Sequence, residues 1–210
     1  MDHDGVLTSI ENAGPNSGDA NFNGILDGNE EDVATYISPV NSGYVTLIAT
    51  GGCRVINGVN NIFESQNTAQ DPLNDYMIGM HSFQLLCTAS GQSATITYVW
   101  DKLYDTSLWT DYEKYNPNTN TYSSISGLVT YGVSYGKTSV TYSITDGGPL
   151  DTDGLVNSTI EDPAGPVIIN RPVITSPNSG STIFSTLINI IGTGTIGSVI
   201  TLANTLGTIL

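Results

Sequence analysis

The chain has 210 residues, 12% of them charged, with 20 acids against 5 bases and a formal net charge of −15. So few Lys and Arg argue against a nucleic-acid partner, whose affinity comes from cations on phosphate, and against an anionic membrane surface. No apolar run reaches the roughly 18 residues a spanning helix needs, so direct membrane insertion is not expected either. The length suits one large β domain or two modest ones, and Gly, Ser, Thr and Asn fill positions where helices would carry Lys and Glu.

The N-terminal 34 residues hold the most specific pattern. Asp19, Asn21, Asn23, Asp27 and Glu30 place oxygen ligands at positions 1, 3, 5, 9 and 12 of a twelve-residue loop. Gly24 takes position 6, where the chain must turn sharply, and Ile25 takes position 7, which contributes a backbone carbonyl. That is the calcium-loop pattern with every required position filled. Shifting by 19 residues aligns Gly5 with Gly24 and puts Asp2, Asp4, Val6, Thr8 and Glu11 at positions 3, 5, 7, 9 and 12. Position 1 would fall before Met1, so this copy is cut short, and it reads either as a second calcium loop or as a solvated acidic turn. The expected cofactor is Ca2+. A possible short helical turn follows at 29–36.

From there strand signals recur with turns between them: 44–50, 53–57, 59–63, 80–88, 94–100, 109–115, 121–125 and 139–144. Many short strands without intervening helices predict an all-β chain, an antiparallel β-sandwich over residues 35–166. Cys53 and Cys87 lie in two of these strands. They form a disulfide in an oxidising compartment or remain buried thiols in a reducing one; calcium loops favour export and hence the bond. Beyond the sandwich, 167–172 reads as a proline-stiffened linker. Strands at 172–177, 188–193 and 197–202 then look like the opening of a partial Ig-like segment, residues 167–210 in all.

The middle of the chain resembles a known family. Its carriers are Tyr44-Val-Thr-Leu with Gly52-Cys53, Ala94-Thr-Ile-Thr-Tyr and Tyr112-Glu-Lys-Tyr115-Asn. They continue with Thr145-Asp-Gly-Gly148, Asp151-Thr-Asp153-Gly154 and Asp162-Pro-Ala-Gly165-Pro166. Together, over about residues 35–166, they resemble the bacterial choice-of-anchor surface domain, type U. The tandem acidic loops look like thrombospondin type 3 repeats. The resemblance implies a module of a large exported bacterial protein, cell-surface and outer-membrane associated, set between calcium repeats and Ig-like or anchoring segments. It implies no enzyme chemistry.

The remaining candidates are weighed on chemistry. Asp151 and Asp153, with Asp146 and Asn157 nearby, read either as a further calcium site stiffening a domain junction or as an acidic turn satisfied by backbone amides. Trp109, Tyr112 and Tyr115 are the candidate ligand surface for a glycan or protein, against a plainer role as core and cross-strand pairs. His81 is the single strand histidine, no Gly-x-Ser-x-Gly elbow exists, and the acids cluster in turns, so no enzyme is expected. Asp162-Pro163 reads as the end of the domain. The sequence therefore predicts a calcium-stabilised adhesion or display module. A ligand-free spacer and a carbohydrate-binding accessory domain are the alternatives, with neighbouring modules of the same protein as partners.

Overall fold

Alternation governs the chain from Val33 onward, and it writes two sheets. This computed structural model describes residues 2–71, 74–167, 169–170, 173–177 and 191–193. The first sheet runs β1 (Val33–Ile37), β2 (Tyr44–Gly51), β6 (Ser93–Trp100), β10 (Lys137–Thr145) and β9 (Thr130–Ser134), in that spatial order. The second runs β3 (Cys53–Ile62), β5 (Met80–Cys87), β11 (Thr159–Val167), β7 (Asp111–Asn116) and β8 (Thr121–Ser124). Every pairing is antiparallel. The protein is an all-β sandwich.

Register explains why these strands face as they do. Leu47, Tyr98 and Val140 sit side by side across β2, β6 and β10, and Ala49, Ile96 and Tyr142 form the next row. All six are buried, while the alternate positions carry Thr and Ser, such as the Thr97–Thr141 hydroxyl pair at 3.0 Å. The second sheet answers with Phe83, Leu85, Ile160 and Tyr112, so both inner faces meet in one apolar cluster. The β9–β10 hairpin turns on Tyr135 and Gly136, both at positive φ, the two-residue geometry that matches strand twist.

Two polar clusters in the core are paired, whereas the Tyr98 and Tyr112 hydroxyls are buried there without a partner among the described residues. Asp162 accepts from Lys114 Nζ and from the Tyr142 hydroxyl, all three side chains being buried. His81 is fully buried, and Trp100 Nε1–H donates to its Nε2 at 3.2 Å. Indole has no acceptor role, so the imidazole hydrogen sits on Nδ1, 2.9 Å from the Tyr36 hydroxyl. Burial pushes the His81 pKa down to about 3, which keeps it neutral. The strand histidine is thus a core group with both nitrogens engaged. Cys53 and Cys87 face each other in the β3–β5 ladder and are joined as a disulfide.

Three sequence expectations change here. Residues 33–37 are strand, not helical turn, because Ala34 and Tyr36 pack into the core while the segment pairs with β2 at the sheet edge. The segments 53–57 and 59–63 are one strand, β3, bent by two register shifts. Asp162-Pro163 does not end the domain: it lies inside β11, which is central to the second sheet. Pro163 is paired only with β5 and Pro166 only with β7, so each proline sits where one flank of the strand carries no ladder. Beyond β11, β12 (Ile169–Asn170) pairs with the short β4 (Asn74–Asp75), so sheet continues into the expected linker. β13 (Val173–Ser176) pairs with β14 (Ile191–Thr193). Arg171, Pro172 and the expected strand at 197–202 lie outside the described residues.

Candidate metal centre

Both N-terminal loops adopt the same backbone, which is the structural trace of the 19-residue repeat. Gly5 and Gly24 share φ +90°, and the residues two before them, His3 and Phe22, are at φ 71° and 60°. The Val6 amide donates to Asp4 Oδ1 at 2.8 Å, and the Ile25 amide donates to Asn23 Oδ1 at the same distance. A helical turn follows in each: α1 (Thr8–Glu11) in the first copy and a 3-10 turn (Asp27–Asn29) in the second. Each turn delivers the position-12 glutamate back to the loop.

The two copies differ in what the converging side chains find. In the second, Asp19 accepts the Asn23 and Gly24 amides at 3.0 Å each. The Asn21 and Asn23 amide nitrogens donate to Glu30, whose charge is therefore met by protein donors. Asp27, expected at position 9, is engaged by donors from the loop and from β1. Its carboxylate accepts from the Ala20 amide at 3.0 Å and the Thr35 hydroxyl at 2.6 Å, tying the loop to β1. Burial pushes its pKa up to about 6, against the pull of those two donors.

The first copy has no side-chain donors of that kind. Asp2, Asp4 and Glu11 are buried, and their ligand atoms lie within 4.8 Å of one another. Five of their carboxylate oxygens are buried without a hydrogen-bond partner: both of Asp2, Oδ2 of Asp4 and both of Glu11. Burial raises the Glu11 pKa to about 8, with the charges of Asp4 and Asp2 adding and the nearby Thr35 amide offsetting part. Asp4 rises to about 6, mainly by burial, with the Val6 amide opposing and Asp2 adding. Stripping a carboxylate of water without a partner costs several kcal/mol. The three together form a buried cluster of unpartnered carboxyl oxygens.

The donor chemistry fits one class of ligand. Oxygens alone, mostly charged, with no nitrogen or sulfur, suit a hard dication such as calcium better than zinc or copper. Asp2, Asp4 and Glu11 would hold it, with Val6 following the glycine at the carbonyl position. Asp19, Asn21, Asn23 and Glu30, with Ile25 at the corresponding place, are the second set, once the two amides present oxygen rather than nitrogen. The loops are also packed on each other. A Cβ at Gly28 would meet Glu11 Oε2 at 2.9 Å and Thr8 Cγ2 at 2.8 Å. Gly14 is pressed equally close to the Glu11 carbonyl and the Thr35 methyl. Thr35, Gly14 and Gly28 are the residues that sequence spacing missed, because their role arises from docking on β1.

Other expected site residues lie elsewhere and do other work. Asp151 accepts the Gly147 amide at 2.8 Å and the Glu161 amide at 3.0 Å; Asp153 accepts from Leu155 N–H and Asn157 Nδ2. Asp146 takes three further amides, from Gly91, Asn157 and Ser158. The carboxylates of this acidic turn are thus met by backbone amides and the Asn157 side chain, as the plainer reading expects. Trp109, Tyr112 and Tyr115 are not a shared ligand surface. Trp109 packs edge-on against Trp100 and Tyr131, Tyr112 is fully buried beside Tyr142, and Tyr115 joins Tyr76 and Met80 in a small cluster. The reason is parity: Tyr112 points between the sheets and Tyr115 to the opposite face. Comparison with protein-family models, curated proteins and solved structures finds no match to this chain.

Proposed function

We propose that the protein is a calcium-stabilised β-sandwich module of an exported bacterial surface protein, serving in adhesion or display. The observation that carries this reading is the trio Asp2, Asp4 and Glu11, buried with five unpartnered oxygens. In the absence of metal, burying these three carboxyl groups together is costly, through lost hydration and through repulsion as they ionise. A bound calcium ion neutralises them, and because the site exists only in the folded chain its binding free energy is folding free energy. Extracellular calcium modules work at about 10⁻⁴–10⁻³ M. At a calcium concentration of about a hundred times Kd, one such site contributes about 2.7 kcal/mol. The Cys53–Cys87 bond supports an oxidising compartment.

A ligand-free spacer is the second reading, and it is favoured by the burial of Trp109, Tyr112 and Tyr115, which removes the aromatic surface an adhesin would offer. Calorimetric titration with calcium tests the common premise. The account expects uptake by the wild-type chain, loss of the first site in Glu11→Gln, and retention of the second in that variant. A wild-type chain that takes up no calcium, or a Glu11→Gln variant that titrates identically, overturns it.

A further inference from the structure

The outer face of the second sheet is covered at one end and open at the other. At the covered end Tyr76 packs on Met80, Tyr115 and Val167. At the open end lies a groove of about 430 Å³ over β3, β5 and β11, open among the described residues. That volume is within the range of about 300–1,000 Å³ typical of small-molecule sites.

Strand register lays out its floor. Asn60 pairs with Ser82 and Ser82 with Pro163; Gly58 pairs with Gln84 and Gln84 with Glu161. Amide, hydroxyl and carboxylate groups thus form a two-row array around a proline ring. Among the described residues the Asn60 and Ser82 side chains make no hydrogen bond, so their donors and acceptors are free. Glu161 Oε1 accepts from Gln84 Nε2 at 2.9 Å, which fixes both side chains. At the groove wall the Thr152 hydroxyl is buried and has no partner, an unmet polar group in a lined cavity. Gly58 leaves a hollow, since a Cβ there would meet nothing within 4 Å.

The geometry points to a binding site for a neutral glycan in this groove. The array offers hydrogen bonds of both senses to closely spaced hydroxyls, and Pro163 and Pro117 in the lining offer apolar rings to the C–H face of a sugar. A net charge of −15 and Glu161 in the floor disfavour sialylated, sulfated or uronate ligands. An extended peptide would need free backbone groups, and these lie along the outer edge of β3 and not over the floor, where β5 is laddered on both sides. The groove borders the first loop, where Gly5 lies against Gly58, but none of the loops' oxygen ligands lines it, and the assignment does not rest on their being filled.

The test is an NMR titration of the isotopically labelled full chain with neutral hexasaccharides of glucose, mannose and N-acetylglucosamine, each up to about 10 mM, the millimolar regime of weak binding. Amide shifts confined to β3, β5 and β11 are expected with at least one of them. Gly58→Trp, at a position where a Cβ meets nothing within 4 Å, puts a bulky ring into the hollow and should weaken binding about tenfold or more, which is about 1.4 kcal/mol. Asn60→Ala, an exposed and unpartnered change that leaves the fold alone, should weaken it about threefold, or about 0.6 kcal/mol. Absence of shifts with all three sugars overturns the assignment, as do shifts that Gly58→Trp leaves unchanged or binding to basic peptides in their place.

Discussion

Raising the pH from 5 to 8 in EDTA is the sharpest perturbation the first loop offers. Glu11 has its folded-state pKa raised from 4.5 to about 8, and Asp4 and Asp27 are raised to about 6. For an acid so shifted, the folded chain binds more protons than the unfolded chain between the two pKa values, so stability falls as pH rises through that window. Glu11 alone then costs the metal-free fold on the order of 3 kcal/mol between pH 5 and 8, and the two aspartates act in the same direction. At about 2–4 °C per kcal/mol for a chain of this size, Tm should drop by about 6–12 °C. With calcium in excess the trend reverses, since protons now compete with the ion, and the protein is more stable at pH 8 than at pH 5. Differential scanning calorimetry at four pH values, with EDTA and with calcium, reads both slopes. Equal slopes in the two media, or a metal-free stability that rises with pH, would refute the reasoning.

Gly28→Ala should drive a methyl into Glu11 Oε2 and Thr8, costing about 1–3 kcal/mol by overpacking and lowering calcium affinity at the first loop, both read by calcium-dependent melting. Replacing Cys53 and Cys87 by serine opens a covalent loop of sequence separation 34 and should cost roughly 3–4 kcal/mol in urea unfolding. Lys114→Met strands Asp162 in the core and should cost about 3–5 kcal/mol, whereas pairing it with Asp162→Leu should recover most of that loss. A double variant as unstable as Lys114→Met alone would show that the pair serves packing and not charge balance.

Much of this fold was legible because alternation is a local signal. Residues 44–50, 80–88 and 94–100 carry it cleanly, and each became a strand. β11 was not legible. Its sequence, Thr159-Ile-Glu-Asp-Pro-Ala-Gly-Pro-Val167, holds two prolines, a glycine and two acids, and reads locally as a boundary. Only its neighbours make it a strand: β5 and β7 pair with its two halves, and Lys114 and Tyr142 neutralise Asp162. Tertiary partners outweigh propensity there.

The site shows the same division. Ligand spacing identified both loops and their glycines, since a one-dimensional pattern fixes which side chains converge. It ranked the complete loop first, counting ligands rather than partners. The structure reverses the emphasis: Asn21 and Asn23 answer the charge of Glu30, while Asp2, Asp4 and Glu11 are left unanswered under β1. Whether a carboxylate is buried or paired depends on Thr35, Gly28 and the sheet edge, none of which the repeat encodes.

Crystals grown in calcium, with anomalous diffraction recorded at long wavelength, test the central claim most directly. A peak lying about 2.3–2.6 Å from oxygens of Asp2, Asp4 and Glu11 is the predicted result. Well-ordered carboxyls at that position with no anomalous peak between them, in crystals whose mother liquor holds millimolar calcium, would contradict it.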